Sequence, residues 1–60
     1  MSNMTVEEKA QKLFDRFTDL EYKWSCDPTN ERLRKLTKSN YLIYVGFCVK
    51  NDLDWVKVAF

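Results

Sequence analysis

The segment Tyr-Leu-Ile-Tyr-Val-Gly-Phe-Cys-Val at residues 41–49 decides between two folds for this chain. It is rich in aromatic and β-branched residues, which favours a strand over a helix. The dipeptide Asn51-Asp52 follows it and suits a two-residue turn, and residues 53–60 supply a second strand. The pattern predicts an antiparallel β-hairpin over residues 41–60.

The register of this hairpin can be tested by pairing the strands about Asn51-Asp52. One face then carries Phe47 opposite Val56, Val45 opposite Val58, Ile43 opposite Phe60 and, at its end, Val49 opposite Asp54. The other face carries Lys50 opposite Leu53, Cys48 opposite Trp55, Gly46 opposite Lys57 and Tyr44 opposite Ala59. One apolar and one mixed face are typical of a hairpin packed on helices.

A long amphipathic helix is predicted before this segment, over about residues 5–25. Thr5 and Glu8 have the spacing of a capping box, in which each side chain satisfies a backbone donor at the helix start. The apolar residues that follow recur at helical spacing and trace one stripe: Val6, Ala10, Leu13, Phe14, Phe17, Leu20 and Trp24.

Asp27-Pro28 indicates a stop and a restart, because proline is excluded from a helix interior but suits its first position. With Asp27 as N-cap, a short second helix is predicted over about residues 28–38. The fold class is then α+β, a single mini-domain over residues 1–60. The alternative extends the second helix through Gly46 and gives an all-α helical hairpin with a short third helix.

Composition limits the chemistry that the chain can perform. Its 60 residues include no His, one Gly and two Cys, and its net charge is +1. Histidine is the commonest general base and metal ligand, and Cys26 and Cys48 have no third ligand to complete a metal site. A phosphate loop needs several glycines. We therefore expect no enzyme activity, no catalytic residues, no metal and no cofactor.

The N-terminus lacks the basic and apolar regions of a signal peptide, and the longest apolar run is far shorter than a membrane span. These features predict a cytoplasmic protein without a membrane segment, with both thiols reduced and buried as small hydrophobic side chains.

A basic block follows the acidic first half of the chain. Arg32, Arg34, Lys35 and Lys38 occur within seven residues that contain no carboxylate. Such a block is a candidate contact for nucleic acid or for an acidic partner. A solvated helix face is the favoured interpretation of the block, and the near-neutral net charge argues against strong nucleic-acid binding.

The mixed face of the predicted hairpin is the candidate partner-binding surface. It groups Tyr44, Trp55, Lys57 and the neighbouring Leu42, and tyrosine and tryptophan dominate interface hot spots. The alternative is that these side chains complete a small core.

The sequence predicts a small non-enzymatic protein-binding module, an inhibitor or modulator of a larger macromolecular partner. Its size is typical of phage- or plasmid-encoded modulators. A protein partner is favoured and a homodimer is the alternative, because a core this small usually needs support from another chain. The second function class is a small dimeric nucleic-acid-binding regulator that uses the basic second helix, and the third is a subunit of a larger enzyme complex.

Overall fold

The computed structural model describes residues 4–58 and contains two α-helices, α1 (Val6–Cys26) and α2 (Glu31–Lys50). The predicted β-hairpin is wrong: residues 41–49 form the C-terminal half of α2, and no strand is present within residues 4–58. The fold is therefore a helical hairpin and not α+β. Ala59 and Phe60, at the end of the predicted second strand, lie outside the described residues.

The first helix begins at the predicted cap. The backbone N–H of Glu8 donates to Thr5 Oγ1 at 3.1 Å, and the Thr5 hydroxyl lies 3.3 Å from Glu8 Oε1. Glu7 and Glu8 in the first turn and Lys23 in the last suit the helix dipole. The helix, Val6–Cys26, begins and ends one residue later than the predicted range of about 5–25.

The second helix begins three residues later than predicted. Asn30, not Asp27, is its N-cap, and the Asn30 carbonyl oxygen Oδ1 accepts the backbone N–H of Leu33 at 3.1 Å. Asp27 instead ends α1, where its N–H donates to Trp24 O at 3.0 Å. Pro28 therefore lies in the loop between the helices and does not occupy the first position of α2, contrary to the sequence prediction.

The second helix continues to Lys50 because one row of its side chains fits against α1. Thr37, Tyr41, Tyr44 and Cys48 are spaced four, three and four residues apart, and all four are buried. An isolated two-stranded hairpin is marginal in water, whereas a helix here buries this whole row. Burial against α1 thus overrides the β preference of residues 41–49.

The helices are antiparallel, as their aromatic contacts show. The ring centroid of Phe14 lies 5.1 Å from that of Tyr44, and Phe17 lies 5.0 Å from Tyr41. Phe17 is 1% exposed, and with Tyr41, Tyr44 and Cys48 it forms the centre of the core.

A Schellman motif turns the chain back after α2. The N–H of Leu53 donates to Cys48 O at 2.8 Å and that of Asp52 to Val49 O at 3.3 Å, with Asp52 at a φ of 56°. Residues 53–58, which we call the C-terminal strap, carry no helix or strand and pack against the core through Leu53, Trp55 and Val58. The third helix of the all-α alternative is therefore also wrong within residues 4–58.

Two tyrosine hydroxyls hold the strap. Tyr41 Oη donates to Val56 O at 2.7 Å and accepts the N–H of Val58 at 2.9 Å. Tyr44 Oη accepts the N–H of Val56 at 3.1 Å. Three backbone groups of the strap, the N–H and C=O of Val56 and the N–H of Val58, are thus bonded to side chains of α2, in place of the strand partner that the sequence suggested.

Replacing Gly46 by alanine tests the helical assignment of the disputed segment. We expect Gly46→Ala to raise the free energy of unfolding by about 0.5–1 kcal/mol, because glycine weakens a helix interior by that amount. The new methyl group has room, since no atom of the described residues other than its chain neighbours and the local helix backbone lies within 4 Å of the Cβ position. Urea unfolding measures the change, and a loss of stability would contradict the helical environment.

Candidate functional site

The residues of the predicted partner-binding surface are distributed over the core, the strap and the surface of α2. Tyr44 is 5% exposed and belongs to the core, where its hydroxyl binds the strap. Trp55 packs against the core from the strap, and Lys57 Nζ lies 5.8 Å from the centre of its ring. Leu42, by contrast, is 57% exposed on α2. The structure brings Trp55 and Lys57 together and leaves Leu42 as the open apolar contact.

The basic block lies on the first two turns of α2. All four of its side chains are exposed: Arg32, Arg34, Lys35 and Lys38. Arg34 is bound to Glu31 through two of its nitrogens at 2.9 and 3.1 Å. That hydrogen bond, together with the charge of Arg34, holds the pKa of the Glu31 carboxyl below its ordinary value. The acidic neighbour therefore reduces the charge that this block offers to a phosphate.

The C-terminal half of α2 exposes a further apolar surface. Leu42, Ile43 and Val49 are 57%, 56% and 63% exposed, and Gly46 lies between them with open space above it. We call these four residues the outer face of α2. The sequence prediction missed Ile43 and Val49, because the hairpin register assigned both to its buried face.

The two flanks of the helical hairpin differ in charge, and the strap runs along only one of them. On one flank the strap borders a cavity of about 310 Å³. Its lining includes Phe14, Tyr44 and the two carboxylates Glu7 and Asp54. On the other flank lies an open groove of about 280 Å³. Its floor is apolar and consists of Met4, Leu13 and Phe47. Its rim is basic and consists of Lys9, Lys12 and Arg16. We call this second cavity the open groove.

The two thiols lie at opposite ends of the hairpin. Cys26 ends α1 and is exposed, whereas Cys48 is buried near the far end of α2. About 18 residues of helix separate Cys48 from the loop, or roughly 27 Å at 1.5 Å per residue. A disulfide requires Cα atoms less than about 7 Å apart, so the geometry excludes a bond between these cysteines within one chain.

Within the residues that the structure describes, no three or more His, Cys, Asp or Glu side chains are arranged to hold a metal ion. Within the same residues, neither helix is long and apolar enough to cross a membrane.

The fold and its exposed surfaces define a small helical hairpin with a C-terminal strap packed along one flank. Comparison of the chain with protein-family models, with curated proteins and with solved structures finds no match.

Proposed function

We propose that this protein is a small non-enzymatic binding module that modulates a larger protein partner. The observation that carries the proposal is the outer face of α2, where Leu42, Ile43 and Val49 are each more than half exposed. Single exposed hydrophobic residues are common on protein surfaces, but Leu42 and Val49 lie seven residues apart on one side of the helix, with Ile43 at its edge, and apolar residues grouped in this way suit an interaction site.

The outer face has the energetics of a weak to moderate binding site. Burying one half-exposed aliphatic side chain contributes about 1 kcal/mol. The surface is also preorganised, because its residues lie on a helix whose opposite side is fixed in the core. A preformed surface loses little conformational entropy on binding, which leaves more of the burial energy for affinity.

Two features of the charge favour a protein partner over nucleic acid. Arg34 of the basic block is bound to Glu31, and the net charge of the chain is only +1. Nucleic-acid affinity comes mainly from phosphate neutralisation, which requires several available cations on one surface. An aliphatic patch contributes nothing to phosphate binding but suits a protein surface.

Removing the aliphatic groups of the outer face tests this proposal. We expect Leu42→Gln/Val49→Gln to weaken capture of the partner from the native host about 10- to 30-fold, from the loss of apolar burial. Glutamine is a good helix former and adds no charge, so α2 should persist. Affinity capture with quantified recovery, beside circular dichroism of each variant, measures both quantities.

The matched control is Tyr22→Gln, which removes an aromatic side chain that is 71% exposed on α1. The proposal requires a protein that wild type and Tyr22→Gln retain and that the double variant loses. It fails if every retained protein survives the double substitution. It also fails if the chain retains only DNA or RNA, or if it assembles solely with itself through this face in sedimentation experiments.

A further inference from the structure

Residues that line the open groove, Leu13 on α1 and Phe47 on α2, belong to two helix rows that have the spacing of a helix-packing seam. On α1 the row through Leu13 consists of Lys9, Leu13, Arg16, Leu20 and Lys23, at alternating separations of four and three residues. Alternation of this kind places side chains along one edge of a helix and is the spacing to which a neighbouring helix packs. In this row apolar and basic residues alternate.

The opposite wall has the same spacing on α2. The row through Phe47 consists of Leu36, Asn40, Ile43, Phe47 and Lys50. Leu36 and Ile43 are exposed, so this row offers further apolar side chains along α2 beyond Phe47. The row covers about 14 residues, or roughly 20 Å, which matches a helix of about four turns.

The cations on the rim are available to a ligand. Within residues 4–58, no carboxylate oxygen lies within 4.0 Å of the charged nitrogens of Lys9, Lys12 or Arg16. The two acidic residues at helical spacing from Lys12 have other partners. Glu8 is bound to Thr5, and Asp15 accepts from Gln11 Nε2 at 2.9 Å.

The charge of the groove also selects its occupant. A second copy would bring its own Lys9, Lys12 and Arg16 against the same three cations, and like charges at an interface are unfavourable. On the other flank the strap borders the cavity that Glu7 and Asp54 line, and these carboxylates disfavour an acidic ligand there. A partner helix with apolar residues along one stripe and carboxylates beside it fits both the floor and the rim.

We propose that the open groove binds an acidic amphipathic helix of the protein partner, which would pack as a third helix against α1 and α2. Apolar side chains of that helix contact Leu13, Ile43 and Phe47, and its carboxylates pair with Lys9, Lys12 and Arg16. This inference rests on the proposed function: it gives the same partner a second contact, in the open groove, beside its contact with the outer face of α2.

Two synthetic peptides of about 16 residues, each long enough to span the groove, provide the test. Both carry the same leucine stripe, but one has glutamates beside it and the other has lysines. We expect the acidic peptide to shift the backbone amide resonances of residues 9–16 and 43–47 in ¹⁵N spectra of the full chain. The basic peptide should bind at least ten-fold more weakly, because its charges repel the rim.

Charge reversal on the protein provides the matched control. We expect Lys12→Glu/Arg16→Glu to weaken binding of the acidic peptide about ten-fold or more, since two favourable pairs become repulsive. Lys35→Glu/Lys38→Glu makes the same change in net charge on exposed residues of α2. That control should change the affinity less than about three-fold.

Several outcomes would overturn the inference. They are the absence of binding by the acidic peptide, equal binding of both peptides, equal losses in both double variants, and resonance shifts that fall outside the groove. Dimerisation through the groove would also overturn it by replacing the acidic helix with a second copy. If Leu42 and Val49 still control capture of a host protein while Lys12→Glu/Arg16→Glu does not, the proposed function stands and the acidic-helix inference fails.

Discussion

Phe17→Ala is expected to lower the free energy of unfolding by about 3–5 kcal/mol, which is enough to unfold most of a chain this small. Phe17 is 1% exposed, and its ring lies 5.8 Å from Phe14 and 5.0 Å from Tyr41, measured between centroids. Truncation removes the apolar burial and leaves a cavity between the helices. Because the core of residues 4–58 has only four buried hydrophobic side chains, few neighbours are available to fill that cavity.

Urea unfolding followed by circular dichroism at 222 nm measures this effect. Tyr22→Ala is the comparison, because Tyr22 lies on the same helix but is largely exposed. We expect that variant to change stability by no more than about 0.5 kcal/mol. A Phe17→Ala protein that unfolds cooperatively within about 1 kcal/mol of wild type would show that the centre of the core lies elsewhere.

The sequence alone predicts that Phe17 lies on the buried side of α1. The stripe from Val6 to Trp24 has helical spacing only, and the capping box at Thr5 and Glu8 gives the starting point. Local propensity, capping and periodicity all agree over this stretch. That agreement is the condition under which sequence patterns predict structure well.

Residues 41–49 lack that agreement. Their composition favours a strand, and alternate residues can be paired into an apolar face. The same stretch also contains Tyr41, Tyr44 and Cys48 at helical spacing, and this row extends back to Thr37. Periodicity alone does not separate the two interpretations, and the surface of α1 decides between them. Such a surface is a tertiary property that lies outside the local sequence.

The candidate site depends on the same decision. Once residues 41–49 are helical, Tyr44 turns inward, while Ile43 and Val49 turn outward beside Leu42. The sequence does not predict the open groove either, because Lys9, Lys12 and Arg16 resemble an ordinary solvated face of α1. The one available signal was the alternation of Leu13 and Leu20 with Lys9 and Arg16 along a single edge of that helix.

The strap adds to a core that has only four buried hydrophobic residues within residues 4–58. Sequence patterns predict helices from their own spacing, but a segment without helix or strand has no such spacing. What holds residues 53–58 is chemistry supplied by α2, through the hydroxyls of Tyr41 and Tyr44. An aromatic row thus has two functions, because its rings fill the core and its hydroxyls take the place of a neighbouring strand.

Tyr41→Phe should therefore lower the free energy of unfolding by about 1–3 kcal/mol without changing the core volume. The substitution removes the donor to Val56 O and the acceptor for the N–H of Val58, both at less than 3 Å. Backbone groups left unpaired in a partly buried setting carry a desolvation penalty of that size. Since the ring remains, its contact with Phe17 should persist, and the helical signal should be unchanged at low temperature.

Amide hydrogen exchange separates this effect from general destabilisation. In Tyr41→Phe, the amide of Val58 should exchange at least ten-fold faster relative to amides in the middle of α1. Tyr44→Phe is the matched control, since it removes only the acceptor for the N–H of Val56 and should affect that amide most. If Val58 keeps its protection in Tyr41→Phe, the rings and not the hydroxyls hold the strap. If both variants accelerate exchange equally throughout α1 and α2, the strap and the helices unfold as one unit and these hydroxyls have no local role.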